Sequence, residues 1–163
     1  MTATYEKIAT NTLGSAAATV TFSSISGAYT DLVLIIAAGN STTANDIIQA
    51  QFNSDTGSNY SFTQILGNGS SATSGRASNA TQMRFGICSN NTETNAIIQI
   101  QNYSNTTTYK SSLSRINNPS VNLYAVVNLW RSTSAITSIL LKMESGGNFN
   151  SGSTFTLYGI KAE

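Results

Sequence analysis

The sequence predicts an all-β protein, a single β-sandwich of jelly-roll type with about ten short antiparallel strands. Three observations carry that reading. Apolar residues fall in short blocks with a period of two. Clusters of Gly, Asn and Ser separate the blocks at roughly eight- to twelve-residue spacing. No window combines a helical stripe with the capping residues a helix needs at its ends.

The elements follow in order. "TVTFSSI" (Thr19 to Ile25) sets Val20 and Phe22 on one face of a strand, and "SGAY" turns the chain. "DLVLIIAA" (Asp31 to Ala38) is apolar at both parities, which reads as a central strand covered on both faces. "IIQAQF" (Ile47 to Phe52) alternates, with Ile48, Ala50 and Phe52 opposite Gln49 and Gln51. "YSFTQIL" (Tyr60 to Leu66) is the next strand. Gly67 to Thr81, "GNGSSATSGRASNAT", has no periodic apolar signal and reads as a long loop. "MRFGI" places Met83, Phe85 and Ile87 in register. Ala96 to Tyr103, Tyr109 to Ile116, Leu123 to Trp130, Ile136 to Met143 and Ser153 to Lys161 complete the set. Ser134 to Glu144 also fits a helical stripe through Ile136, Ile139, Leu140 and Met143, but turn residues flank it and the strand reading is favoured. Neither a domain boundary nor an internal repeat is visible.

The composition narrows the chemistry. The 163 residues are enough for one domain with a core of its own. Net charge is +1 and only 9% of residues are charged, with the basic residues scattered, so neither nucleic acid nor a membrane is an expected partner. No apolar run approaches a bilayer span, and the opening "MTATYEKIATNTLGS" has no secretory pattern. There is no histidine and a single cysteine, Cys88. That excludes an internal disulfide and a His-based triad, and leaves zinc almost without ligands. Cys88 ends an apolar strand and reads as a buried thiol. The seven acidic residues are dispersed over turns, strand ends and termini, with no pairing suited to glycoside hydrolysis. Neither an enzyme nor a cofactor is expected.

The stretch "FNSDTGSNYS", Phe52 to Ser61, is the densest polar cluster between two strands. A calcium loop would take Asn53, Asp55 and Asn59 as oxygen ligands, but one carboxylate is too little charge for a tight site. A hairpin turn is the better reading, with Asp55 opening a type I turn and Gly57 at positive φ. Gly67 to Gly69 with Gly75 and Arg76 resembles a phosphate cradle only superficially, because the Gly-Lys-Ser/Thr signature is missing. Trp130, Tyr103, Tyr109 and Tyr124 offer sugar-stacking rings, although strand aromatics more often serve a core or a subunit contact.

Two sets of strings go beyond composition. One is "YEKIATNTLGSAAATVTFSSISGAYTDLVL", Tyr5 to Leu34. The other is "FNSDTGSNYS" together with the closing "FTLYGIK". They resemble small structural proteins of tailed bacteriophages, especially those of marine cyanobacteria and related hosts. Gln51 stands where that group usually has an arginine, and "SSISGAY" where it often has a proline. The resemblance implies a virion component made in the bacterial host cytoplasm. The expected role is a non-enzymatic structural protein decorating the capsid exterior. The alternative is a tail-appendage adhesin or receptor-binding module that recognises host-surface glycan. Expected partners are other virion proteins, of capsid or tail, and further copies of the chain, a trimer first and a dimer second. Residues 1–15 are expected to form an N-terminal arm or edge strand that orders against a partner, ahead of a sandwich over 16–163. Contacts are expected at Tyr5, Ile8, Tyr60, Arg76, Tyr103 and Tyr109.

Overall fold

The computed structural model describes residues 4–90, 92–118 and 122–161. These residues form twelve strands and no helix. The strands are β1 (Tyr5–Thr12), β2 (Thr19–Phe22), β3 (Asp31–Ala38), β4 (Asp46–Phe52), β5 (Tyr60–Gly67) and β6 (Ala72–Ala80). They continue as β7 (Met83–Cys88), β8 (Thr94–Gln101), β9 (Lys110–Asn118), β10 (Asn122–Trp130), β11 (Ile139–Met143) and β12 (Thr154–Ile160). Two antiparallel sheets result, consistent with a β-sandwich. The larger has eight strands in the order β1-β12-β3-β8-β9-β10-β5-β6, and the smaller four in the order β2-β11-β4-β7.

The pairings are nested. β1 pairs β12, β2 pairs β11, β3 pairs β8 and β4 pairs β7. β12 and β11 then pair back onto β3 and β4. The remaining four strands are two hairpins, β5–β6 and β9–β10, laid side by side to extend the larger sheet beyond β8.

Alternation decides which residues enter the core. Val20 and Phe22 of β2 point inward, as do Leu32, Leu34, Ile36 and Ala38 of β3. Ala96, Ile98 and Ile100 of β8 and Phe155 and Leu157 of β12 continue that inner face. Ile48, Ala50, Phe52, Ile139, Leu141 and Met143 line the facing sheet. Together they form one contiguous cluster. Fully burying each large aliphatic side chain contributes about 1.5–3 kcal/mol.

Several sequence expectations are corrected. Gly67 to Thr81 is not a loop, because most of it is β6, paired along β5 from Tyr60↔Ala80 to Gly67↔Ala72. β6 is a sheet-edge strand with almost all side chains in solvent, so it needs no apolar period; its backbone ladder holds it. β3 is only partly covered on its outer face, where Val33 is buried but Ile35 is exposed. β4 is instead the strand buried on both faces, with Gln49 and Gln51 covered and bonded to Glu144 and to the Thr81 carbonyl. Met83, Phe85 and Ile87 do not share one face. A bulge in β7 pairs Ile48 with Gly86 and Gln49 with Arg84, leaving Phe85 as the extra residue, so Cys88 rather than Ile87 points inward. In the segment with the helical alternative, Ile139–Met143 is strand and Ile136 is buried just before it.

Candidate functional site

Phe52 to Ser61 does not close a hairpin. Phe52 ends β4 in the smaller sheet and Tyr60 begins β5 in the larger one, so the stretch carries the chain from one sheet to the other. The left-handed residues are Asn53 (φ 51) and Ser54 (φ 57), not Gly57. The reason is local. The Asp55 backbone N–H donates to the Phe52 carbonyl at 2.9 Å, and this tight turn takes the left-handed geometry at its two central residues, well before the glycine. Asn tolerates that conformation best after glycine. Gly57 matters through space, because a Cβ there would lie 2.9 Å from Asn59 Nδ2 and 3.1 Å from Asp55 Oδ1.

Asp55 is the hub of this corner. Its Oδ1 accepts from the Gly57 N–H at 2.8 Å, and Oδ2 from Trp130 Nε1 at 2.7 Å and Asn59 Nδ2 at 2.9 Å. Desolvation pushes the carboxyl up, but the hydrogen bonds from Trp130, Asn59 and Gly57 together outweigh it and hold its pKa below the ordinary value. Tyr60 stacks on Trp130 with centroids 6.3 Å apart, and Phe52 meets the same indole edge-on at 5.6 Å. The Tyr60 hydroxyl accepts from Phe52 N–H and donates to the Asp55 carbonyl. Burial pushes its pKa up to about 12. Asn53 Oδ1 accepts from the N–H groups of Thr137 and Ser138, and its Nδ2 donates to the Ala135 carbonyl. The oxygens that a calcium ion would need are already committed to N–H donors, and Asn59 turns its amide nitrogen inward. The stretch fastens the two sheets together.

The other predicted residues divide sharply. Tyr60 and Tyr103 are fully buried and cannot touch a partner. Their rings complete the core, and the Tyr103 hydroxyl donates to the Ser26 carbonyl. Trp130 and Tyr124 are buried as well, which leaves Tyr109 alone of the sugar-stacking set in solvent. Tyr5, Arg76 and Tyr109 are exposed, while Ile8 is half-buried against the core. Tyr5 and Ile8 lie on β1, whose ladder runs along β12 of the same chain, so this segment orders on its own domain rather than requiring a partner. Met1 to Ala3 lie outside the described residues.

Glu6, Asp31, Asp46 and Glu144, like Asp55, are engaged in contacts within the fold. Glu6 pairs with Lys161 and accepts from Tyr29. Asp31 accepts from Asn102 N–H, and Asp46 from the N–H groups of Ile47 and Ser145. Glu144 pairs with Arg84 at 3.2 Å. Cys88 is buried and its thiol is pushed up to about 12 by burial, far from a reactive thiolate. Lys110 is a fully buried cation that the sequence did not flag. Its Nζ donates to the carbonyls of Thr108 and Thr133, and burial lowers its pKa.

What sequence reasoning missed is the outer face of the larger sheet. Ile65 is 61% exposed, Leu123 58%, Val127 54%, Leu113 and Ile35 41%, and Ile97 39%. The register sets them side by side. One row across the sheet reads Ile35, Ile97, Arg115, Ala125, Ile65. The next reads Val33, Gln99, Leu113, Val127, Thr63. A third passes through Asn95, Asn117, Leu123 and Gly67. A groove of about 310 Å³ is lined by Ile65, Leu123, Ala125 and Arg115. The signal was readable, since adjacent apolar pairs such as Ile97-Ile98 and Val126-Val127 make a strand apolar on both faces. At one end of the sandwich a separate, polar hollow of about 300 Å³ is lined by Asn90, Thr92, Glu93, Asn150 and Ser151.

No protein-family model matches the chain, and no significant match is found among curated proteins or solved structures.

Proposed function

We propose that this is a non-enzymatic structural protein of a tailed-phage virion, decorating the capsid exterior. The observation that carries the reading is what the phage-like strings become in three dimensions. The opening and closing strings meet as neighbours β1, β12 and β3, joined further by the Glu6–Lys161 and Glu6–Tyr29 contacts. The middle string is the corner that ties the sheets through Asp55. All three form joints of the sandwich, which supports a structural role.

The nested pairing supports the finer fold reading. Without the two inserted hairpins, the eight remaining strands pair first with last, second with seventh, third with sixth and fourth with fifth. We read this as a jelly roll, an architecture shared by viral capsid and lectin domains. Quantitative mass spectrometry of purified particles, with a reconstruction of the particle, tests the placement. Copies in the hundreds, with density over the head, are expected. A few copies confined to the tail would overturn it.

The polar hollow favours the second reading, a tail-appendage adhesin that binds host-surface glycan. Its lining of amides, hydroxyls and Glu93 offers hydrogen bonds of the kind sugar hydroxyls use. Saturable binding on a glycan array, abolished by Asn150→Ala with Thr92→Ala, is the result that reading requires.

A further inference from the structure

We infer that the outer face of β8, β9, β10 and β5 is a self-association surface, on which a second copy of the chain packs sheet against sheet. The inference rests on this face and not on the virion reading.

Size comes first. Ile35, Ile65, Ile97, Leu113, Leu123 and Val127 together expose roughly 500 Å² of apolar surface, at the upper end of the 300–600 Å² that the largest patch on a typical monomer reaches. Ala125, Thr63, Gln99, Asn95 and Asn117 surround them in the same register rows. Adding that rim brings the face to the neighbourhood of the ~800 Å² per partner that a stable dimer buries.

Charge comes second. Among the outward positions of these four strands, Arg115 is the sole charged residue. A nucleic acid or an anionic lipid surface would need a cluster of cations, and the face has only Arg115, with Arg76 of β6 at its margin beside Thr63. It presents no exposed Tyr or Trp for a sugar to stack on. Depletion of Lys, Asp and Glu with one Arg retained is the composition of an interface core.

Register comes third, and it selects a second copy. Sheets packed face to face keep their strands within about 30° of parallel. A two-fold axis in the interface, running along the strands between β9 and β10, exchanges those two strands and exchanges β8 with β5. It sets Leu113 opposite the second copy's Val127, and Ile97 opposite the second copy's Ile65. Arg115 falls opposite the second copy's Ala125, a small residue that leaves it room to run along the interface to its rim. Each pairing occurs twice, as an isologous interface requires.

Sedimentation velocity on the full chain tests this, with Val127→Glu and Leu113→Glu as face variants and Thr21→Glu as a control on the exposed side of β2 in the smaller sheet. Far-UV circular dichroism and thermal melts confirm that each variant folds. The expected result is a wild-type dimer, weakened more than about tenfold by either face variant and unchanged by the control. Mixing a Leu113→Cys chain with a Val127→Cys chain and oxidising should give a two-chain disulfide species faster than either variant alone, because Cys88 is buried. A wild-type monomer at high micromolar concentration overturns the inference. So does a trimer, association that survives both face variants, or the absence of the mixed crosslink in a dimer.

Discussion

Asp55 shows how one side chain can carry a joint between sheets. Its carboxylate accepts from the Trp130 indole N–H, a donor on a buried side chain. Replacing Asp55 by Ala leaves that donor unpaired, an expected loss of about 1–3 kcal/mol in chemical denaturation. The pH dependence follows from the lowered pKa. A depressed carboxyl contributes stability above its ordinary value of 3.8 and loses it as pH falls through the lower folded value. The stability difference between wild type and Asp55→Ala should therefore be constant near neutrality and shrink below about pH 4; a difference that stays constant to pH 2 would contradict the hub role. Gly86 is the second decisive residue. Its φ is +146, and a Cβ there would lie 2.1 Å from Ile116 Cγ2. Gly86→Ala is expected to cost about 2–3 kcal/mol, through both the backbone conformation and overpacking against β9. An unchanged urea midpoint would refute that.

Elements were legible in proportion to how much each buries on one face. β2, β4 and β12 alternate in the sequence because one side of each meets the apolar core, whereas β8 and β10 are apolar on both faces and β9 turns serines inward. β6 was invisible, since a strand at a sheet edge with both faces in solvent carries no apolar period, and "ATSGRASNA" has the composition of a loop. The bulge in β7 was also hidden, because the inserted residue Phe85 is as apolar as its neighbours. β1 was read as an arm or edge strand from its weak apolar content. It is an edge strand whose Ile8 and Ala9 rest on the core and whose ladder covers β12. Deleting residues 1–12 should therefore lower domain stability by at least about 2 kcal/mol, from lost burial and lost hydrogen bonds. A truncated chain that melts with the full-length one would return β1 to the status of a detachable arm.

At the scale of the whole molecule, many polar side chains bond to the chain's own backbone rather than to charged partners. Asn, Ser and Thr side chains cap turns and bind backbone groups at Asn53, Asn68 and Asn105, while the described ion pairs are Arg84–Glu144 and Glu6–Lys161. What the sequence by itself determined is the all-β fold class, together with a chain that has no histidine and no second cysteine for an internal disulfide. These follow from local period and composition, which need no partner to be read. The tertiary structure alone decided that Phe52 to Ser61 crosses between sheets, that Tyr60 and Tyr103 belong to the core, and that apolar residues of β8, β9, β10 and β5 assemble into one bare face. Each depends on which strands lie side by side, and strand pairing joins residues far apart in the chain by backbone hydrogen bonds that every residue type except proline can make in full.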